Sequence, residues 1–127
     1  MQINTHLQIE TTLCGKVTKH EEGYAEVLLH TSRQMAADSR GLVHGGFVFG
    51  AADYAAMVAV NDPYVVLGAA KSRFIAPVAV GDAVLCQARV TAVKGRKQEV
   101  AVTASVSGKA VFEATFTTFV LEQHIFG

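Results

Sequence analysis

From Phe47 to Val60 the chain contains no proline and is apolar on every face, with Asp53 as the one exception. Such a run predicts a helix buried on all sides, not an amphipathic surface helix. A carboxylate in its middle costs several kcal/mol to bury as an ion unless it is paired or put to use. Immediately upstream, Gly45 and Gly46 stand where a soluble helix normally carries a Ser, Thr, Asn or Asp cap. The first backbone N–H groups are therefore left without a side-chain partner. With the positive end of the helix dipole behind them, such donors suit a developing oxyanion. Asn61-Asp62-Pro63 is expected to end the helix, because proline turns the preceding residue away from the α region.

The segments on either side read as strands. Leu13 to His20 and Gly23 to His30 predict two strands joined through Glu21-Glu22-Gly23, and Thr31 to Val43 is polar and turn-rich, a loop delivering the chain to the helix. After the helix come Tyr64 to Ile75, Ala83 to Val93, Gln98 to Ser107 and Ala110 to Leu121. They are separated by turns at Gly81-Asp82, Lys94 to Lys97 and Ser107-Gly108-Lys109. In the second of these, Val84, Cys86, Ala88, Val90 and Ala92 alternate with Gln87, Arg89 and Thr91, the period of a half-buried strand. Two strands, one buried helix and an antiparallel meander make an α+β layer arrangement. A helix apolar all round must also be covered on its far side, and the simplest cover is the sheet wrapping around it.

Composition narrows the function classes. With 127 residues, half of them apolar, the expectation is one domain over residues 1–127. Zero formal net charge gives no field that recommends nucleic acid or an anionic membrane as partner. Cys14 and Cys86 are not in metal-ligand spacing, so no metal is expected. Cys86 reads as a small buried hydrophobe, in keeping with a reducing cytosol. No basic start, apolar leader or membrane-length run is present, so the expected location is the cytoplasm. A mean hydropathy of +0.30 is high for a small monomer and points to apolar surface covered by a second copy.

His44-Gly45-Gly46-Phe47-Val48-Phe49-Gly50-Ala51-Ala52-Asp53 resembles the His-Gly-Gly-x-x-Phe-x-x-Ala-Asp signature of hotdog-fold acyl-CoA thioesterases of the phenylacetate-degradation type. Downstream, Arg73 to Asp82 is similar to the family's next landmark, a strand end, a proline and a Gly-Asp turn. The likeness runs from about Leu13 to Leu121. It implies a hotdog fold, an antiparallel sheet wrapped around one long buried helix. It also implies hydrolysis of an acyl-CoA to a carboxylic acid and free coenzyme A, with no cofactor beyond the coenzyme A of the substrate.

Geometry adds a constraint of its own. Gly45 and Asp53 are eight residues apart, about 12 Å along one helix. A donor to the carbonyl oxygen and a base aimed at the carbonyl carbon must both lie within about 3 Å of the reacting atoms. The two residues therefore cannot serve one carbonyl from the same helix, and the site is expected to lie across a homodimer interface, in a dimer or a dimer of dimers. The Gly45 amide would polarise the carbonyl and Asp53 would attack it or activate water. His44, as the matching family positions imply, would hydrogen-bond near the thioester. Gly46, Asp38, Lys71 and Arg73 are the candidate substrate-binding residues, Asp38 standing where many relatives carry Asn.

Other readings stay open at this stage. Asp53 could be a structural carboxylate paired with Lys71 or Arg73, and the Lys94 to Lys97 run a solvated turn instead of a phosphate contact. Phe47, Phe49, Tyr54 and Met57 fit helix packing or an acyl pocket. A non-catalytic acyl-CoA sensor is the rival function, because Val65 to Val90 also resembles the ligand domain of bacterial regulators of fatty-acid and phospholipid synthesis. A hotdog dehydratase or hydratase is the other, although no His accompanies Asp53 between Phe47 and Val60.

Overall fold

The computed structural model describes residues 1–127 throughout. In chain order the elements are α1 (Thr11–Cys14), β1 (Lys16–Glu21), β2 (Tyr24–His30), α2 (Gly45–Val60), β3 (Val65–Phe74), β4 (Ala83–Lys94), β5 (Lys97–Val106) and β6 (Lys109–Val120). A short 3-10 turn, Arg33–Met35, lies between β2 and α2. The strands form one sheet in the order β1-β2-β4-β5-β6-β3, antiparallel at every pairing. Between β5 and β6 the two turn residues, Ser107 and Gly108, both have positive φ, the backbone whose twist matches that of the flanking strands.

The long helix lies on the inner face of this sheet. Ala51, Ala52, Ala55, Ala56 and Ala59 are buried, and their small side chains let the helix come close to Val27, Cys86, Val102 and Phe116 below. The expected α+β hotdog arrangement is therefore present. The cover on the helix's far side is different from the expected one: it is the N-terminal arm. Thr5 is buried there, and Ile3, Ile9 and Leu13 pack against the core. Asn61, left-handed at φ 57°, ends the helix and holds the arm. Its Oδ1 accepts from the Asn4 amide at 2.7 Å and its Nδ2 donates to the Gln2 carbonyl at 2.9 Å.

Two boundaries also move. Leu13 to His20 is not one strand, because the chain first makes α1 and then breaks at Gly15 with φ 96°. A Cβ at Gly15 would sit 2.6 Å from Val27 Cγ1, so β1 starts only at Lys16. The helix begins at Gly45 instead of Phe47, which makes His44 the cap residue and draws both glycines into the first turn.

The sheet has two free edges of different character. β1 carries Lys16, Lys19 and Glu21 and a bulge between Val17 and Lys19, devices that discourage another strand from adding. β3 has a bulge between Leu67 and Ala69 but no charge from Val65 to Ala70, and every residue from Gly68 to Phe74 is exposed. Gly68 is covered by its neighbour's ring, since a Cβ there would fall 2.3 Å from Phe119 Cε2. No helix is long and apolar enough to cross a membrane.

Candidate functional site

The chain enters α2 on fixed backbone bonds. The Val43 amide donates to the Val78 carbonyl at 2.8 Å, and the His44 amide to the Met35 carbonyl at 2.8 Å. His44 makes no side-chain cap bond, and the first amide of the turn to find an acceptor is that of Phe47, on the His44 carbonyl at 3.1 Å. The Gly45 and Gly46 amides have no protein acceptor. Both positions are tight. A Cβ at Gly45 would lie 3.0 Å from Phe74 Cε1, and one at Gly46 3.0 Å from His44 Nε2. The exposed His44 ring thus lies beside the Gly46 backbone, edge-on to Phe47 at a centroid distance of 6.1 Å. The result is a pair of free donors at the positive end of a sixteen-residue helix, with an imidazole beside them.

Further along α2, Gly46, Gly50 and Asp53 share a stripe that neither the sheet nor the N-terminal arm fully buries. Nothing lies within 4 Å of where a Gly50 Cβ would be. Asp53 is half-buried, its Oδ1 is shut off from solvent, and no hydrogen bond reaches it. Burial raises its pKa from 3.8 to about 6. The nearby Cys14 thiol is pushed up by its own burial and then by the Asp53 charge.

Asp53 is not a structural carboxylate paired with Lys71 or Arg73. On β3, Ala70 and Ser72 register with Phe116 and Ala114 on the inner face, so Lys71 and Arg73 point to the outer face, away from the helix. Arg73 is engaged there by Glu113 at 2.8 Å. Asp38 also lies apart from Asp53. Its Oδ1 accepts from the Arg40 amide at 2.9 Å and the Leu42 amide at 3.1 Å, which shapes the loop leading to the helix. Burial alone accounts for the raised Asp53 pKa, with no contribution from a second carboxylate. In the exposed β4–β5 turn, Arg96 pairs with Glu122 and Lys97 with Glu99.

The structure brings Gly45, Gly46 and His44 together at the helix start. Asp53 stays about two turns away on the same helix. Beside Gly45 lies a feature the sequence does not announce, an apolar cavity of about 230 Å³ lined by Val43, Gly45, Val48, Val78, Val111 and the Phe74 to Pro77 segment. Its walls come from α2, β3, β6 and the loops before and after, so no local motif could have predicted it. No cluster of three or more His, Cys, Asp or Glu side chains is placed to hold a metal ion.

Comparison with known proteins places this geometry among relatives. The thioesterase superfamily profile matches residues 40–113, the span holding the helix start, Asp53, β3 and the cavity. An uncharacterised protein from Pyrococcus horikoshii superposes with a TM-score of 0.99 at 46% identity, covering 100% of this chain and 98% of that one. A single-residue variant of the phenylacetic acid degradation protein PaaI from Thermus thermophilus superposes at 0.79 with 28% identity, over 86% and 95% of the two chains. A 121-residue stretch, 95% of this chain, is 54% identical to part of methylthioribose-1-phosphate isomerase from Aquifex aeolicus. This chain spans 26% of the length of that protein.

Proposed function

The chain belongs to the thioesterase superfamily, with the hotdog fold of its PaaI-like members, and from that premise we propose that it hydrolyses an acyl-CoA at sites shared between two copies. The observation that carries this reading is the pairing of two unspent groups on one helix, the free Gly45 amide and the unpartnered Asp53 carboxylate. Each lacks a partner in its own protomer, and they are too far apart to act on one carbonyl from the same helix. The β3 edge, uncharged from Val65 to Ala70 and exposed from Gly68 to Phe74, supports a second copy, since adding a strand there would extend the sheet across a two-fold axis. The shared site requires that axis to bring the start of one helix toward the middle of the other.

In this mechanism the thioester carbonyl oxygen accepts a hydrogen bond from the Gly45 amide, with His44 on the open side of Gly46 contacting the substrate. Asp53 of the other copy takes a proton from water as the water oxygen bonds to the carbonyl carbon. The oxyanion is held at the helix start, where fixed donors need no reorganisation. Collapse breaks the C–S bond, and the leaving thiolate recovers the proton from Asp53. A carboxylate with its pKa raised to about 6 is ionised at neutral pH and is a stronger base than an exposed one. Lys71 and Arg73 lie near the β3 seam on the outer face, available to the coenzyme A phosphates only where that face meets the site. The isomerase named for the Aquifex protein has about three-quarters of its length outside the matched stretch, and its activity is not read onto this chain.

Complementation tests the shared site. Gly45→Pro deletes the key N–H at a first-turn position, after a His44 already extended at φ −62°, ψ 128°. Gly45→Ala, which brings the same Cβ to 3.0 Å from Phe74 Cε1 but keeps the N–H, controls for the added bulk and should stay active. Gly45→Pro and Asp53→Asn proteins should each be inactive. Unfolded together and refolded, they should regain about a quarter of wild-type turnover, because half of the pairs carry one intact site. A mixture as dead as its components would defeat the shared site.

A further inference from the structure

The cavity beside Gly45 is closed by four buried valines, Val43, Val48, Val78 and Val111, and opens past the exposed Phe74 and Ile75 at the end of β3. No charged side chain lines it. Its backbone donors are almost all engaged. The Ile75 and Ala76 amides both donate to the Val111 carbonyl, at 2.8 and 3.2 Å, the Val43 amide donates to Val78, and Pro77 has none. Gly45 and Val78 are the wall residues outside the strands whose N–H groups have no protein acceptor, and only that of Gly45 stands at the start of the long helix. An occupant matched to this wall is apolar along its length and carries an acceptor at its Gly45 end, where the helix start adds its positive dipole, which describes an acyl chain ending in its carbonyl.

We propose that this cavity is the acyl chamber and that it selects compact, uncharged acyl groups, with Val48 and Val111 setting the size limit. The identity of the occupant rests on the thioesterase reading above. A cavity of about 150 Å³ accommodates one benzene ring. By the same scale, about 230 Å³ holds roughly nine carbons. Long-chain acyl groups overrun the buried floor, and a terminal carboxylate, as in a dicarboxylic half-ester, would be buried with no partner.

The test uses uncleavable S-alkyl-coenzyme A thioethers, from methyl to hexadecyl, titrated into the full chain by calorimetry. Affinity should rise about fourfold per methylene, the value of burying one CH₂, and level off near nine carbons. Val111→Ala and, separately, Val48→Ala should each move the levelling point outward by about two carbons. A thioether ending in a carboxylate should bind at least a hundredfold more weakly than its methyl-ended counterpart of equal length. Affinity that never rises with length, or that climbs through hexadecyl, overturns the chamber, as does an unmoved levelling point in both valine variants or equal binding of the carboxylated ligand. Since the ladder needs no turnover, the two readings separate. An intact ladder without acyl-CoA hydrolysis removes the enzyme and keeps the chamber. Asp53-dependent hydrolysis with a flat ladder does the opposite.

Discussion

Replacing Asp53 by Asn should make the folded protein more stable at neutral pH while stopping its chemistry. Burial holds the Asp53 pKa at about 6, against 3.8 for an ordinary aspartate, and its Oδ1 has no hydrogen bond to compensate. The folded state therefore binds the proton more tightly than the unfolded chain. Its stabilising contribution is fully present below pH 3.8 and is lost as pH rises through about 6. At pH 7.5 the ionised carboxylate costs about 3 kcal/mol by this linkage, reduced to about 2 kcal/mol because one of its oxygens still meets solvent. Asn is neutral at every pH and avoids that cost. The Asp53→Asn variant should then melt about 8 °C higher at pH 7.5, and the gap should close as pH falls toward 4. Thermal unfolding of both proteins at one fixed concentration, stepped between pH 4.5 and 8, measures it. A variant no more stable than wild type at pH 7.5, or a gap indifferent to pH, would mean that the carboxylate is compensated in the folded protein, and the reasoning from an unpartnered Asp53 with its pKa raised by burial would be refuted.

Turnover should depend on the same group. Asp53→Asn should cut acyl-CoA hydrolysis by about 10² to 10⁴, and wild-type kcat/KM should fall about tenfold per pH unit below pH 6, as a pH-stat profile would record. Gly68→Ala should destabilise by about 1 kcal/mol because its Cβ displaces the Phe119 ring. In a Phe119→Ala background the same change should instead stabilise, which a denaturant double-mutant cycle resolves. Cys86 is buried with its thiol pushed up to about 12, so a thiol reagent should label it only on unfolding, while the less buried Cys14 reacts in the folded protein.

Much of the arrangement was legible because the sequence states it locally. The Phe47–Val60 run, the lone Asp53 and the paired glycines specify the helix and its two unspent groups, and Ser107-Gly108 specifies a hairpin whose geometry few other residues allow. The helix starts two residues before the apolar run, at Gly45, because tertiary bonds from the Val43 and His44 amides fix the entering backbone, and those bonds leave no trace in the local sequence. The N-terminal arm was missed because Ile3, Ile9 and Leu13 are too widely spaced to show a period. The outward direction of Lys71 and Arg73 was hidden for a related reason. Gly68-Ala69-Ala70 has no alternation to reveal which parity faces the helix, and only the register with β6 decides it.

The unequal treatment of the sheet's two borders bears on how far association can go. A chain open to strand addition at both margins would stack without limit into a fibril, whereas the lysines and the kink along β1 leave only one margin receptive. Were that margin to pair with its own copy, as the proposed shared site requires, the pairing would exhaust it, and growth by strand addition would halt after a single step.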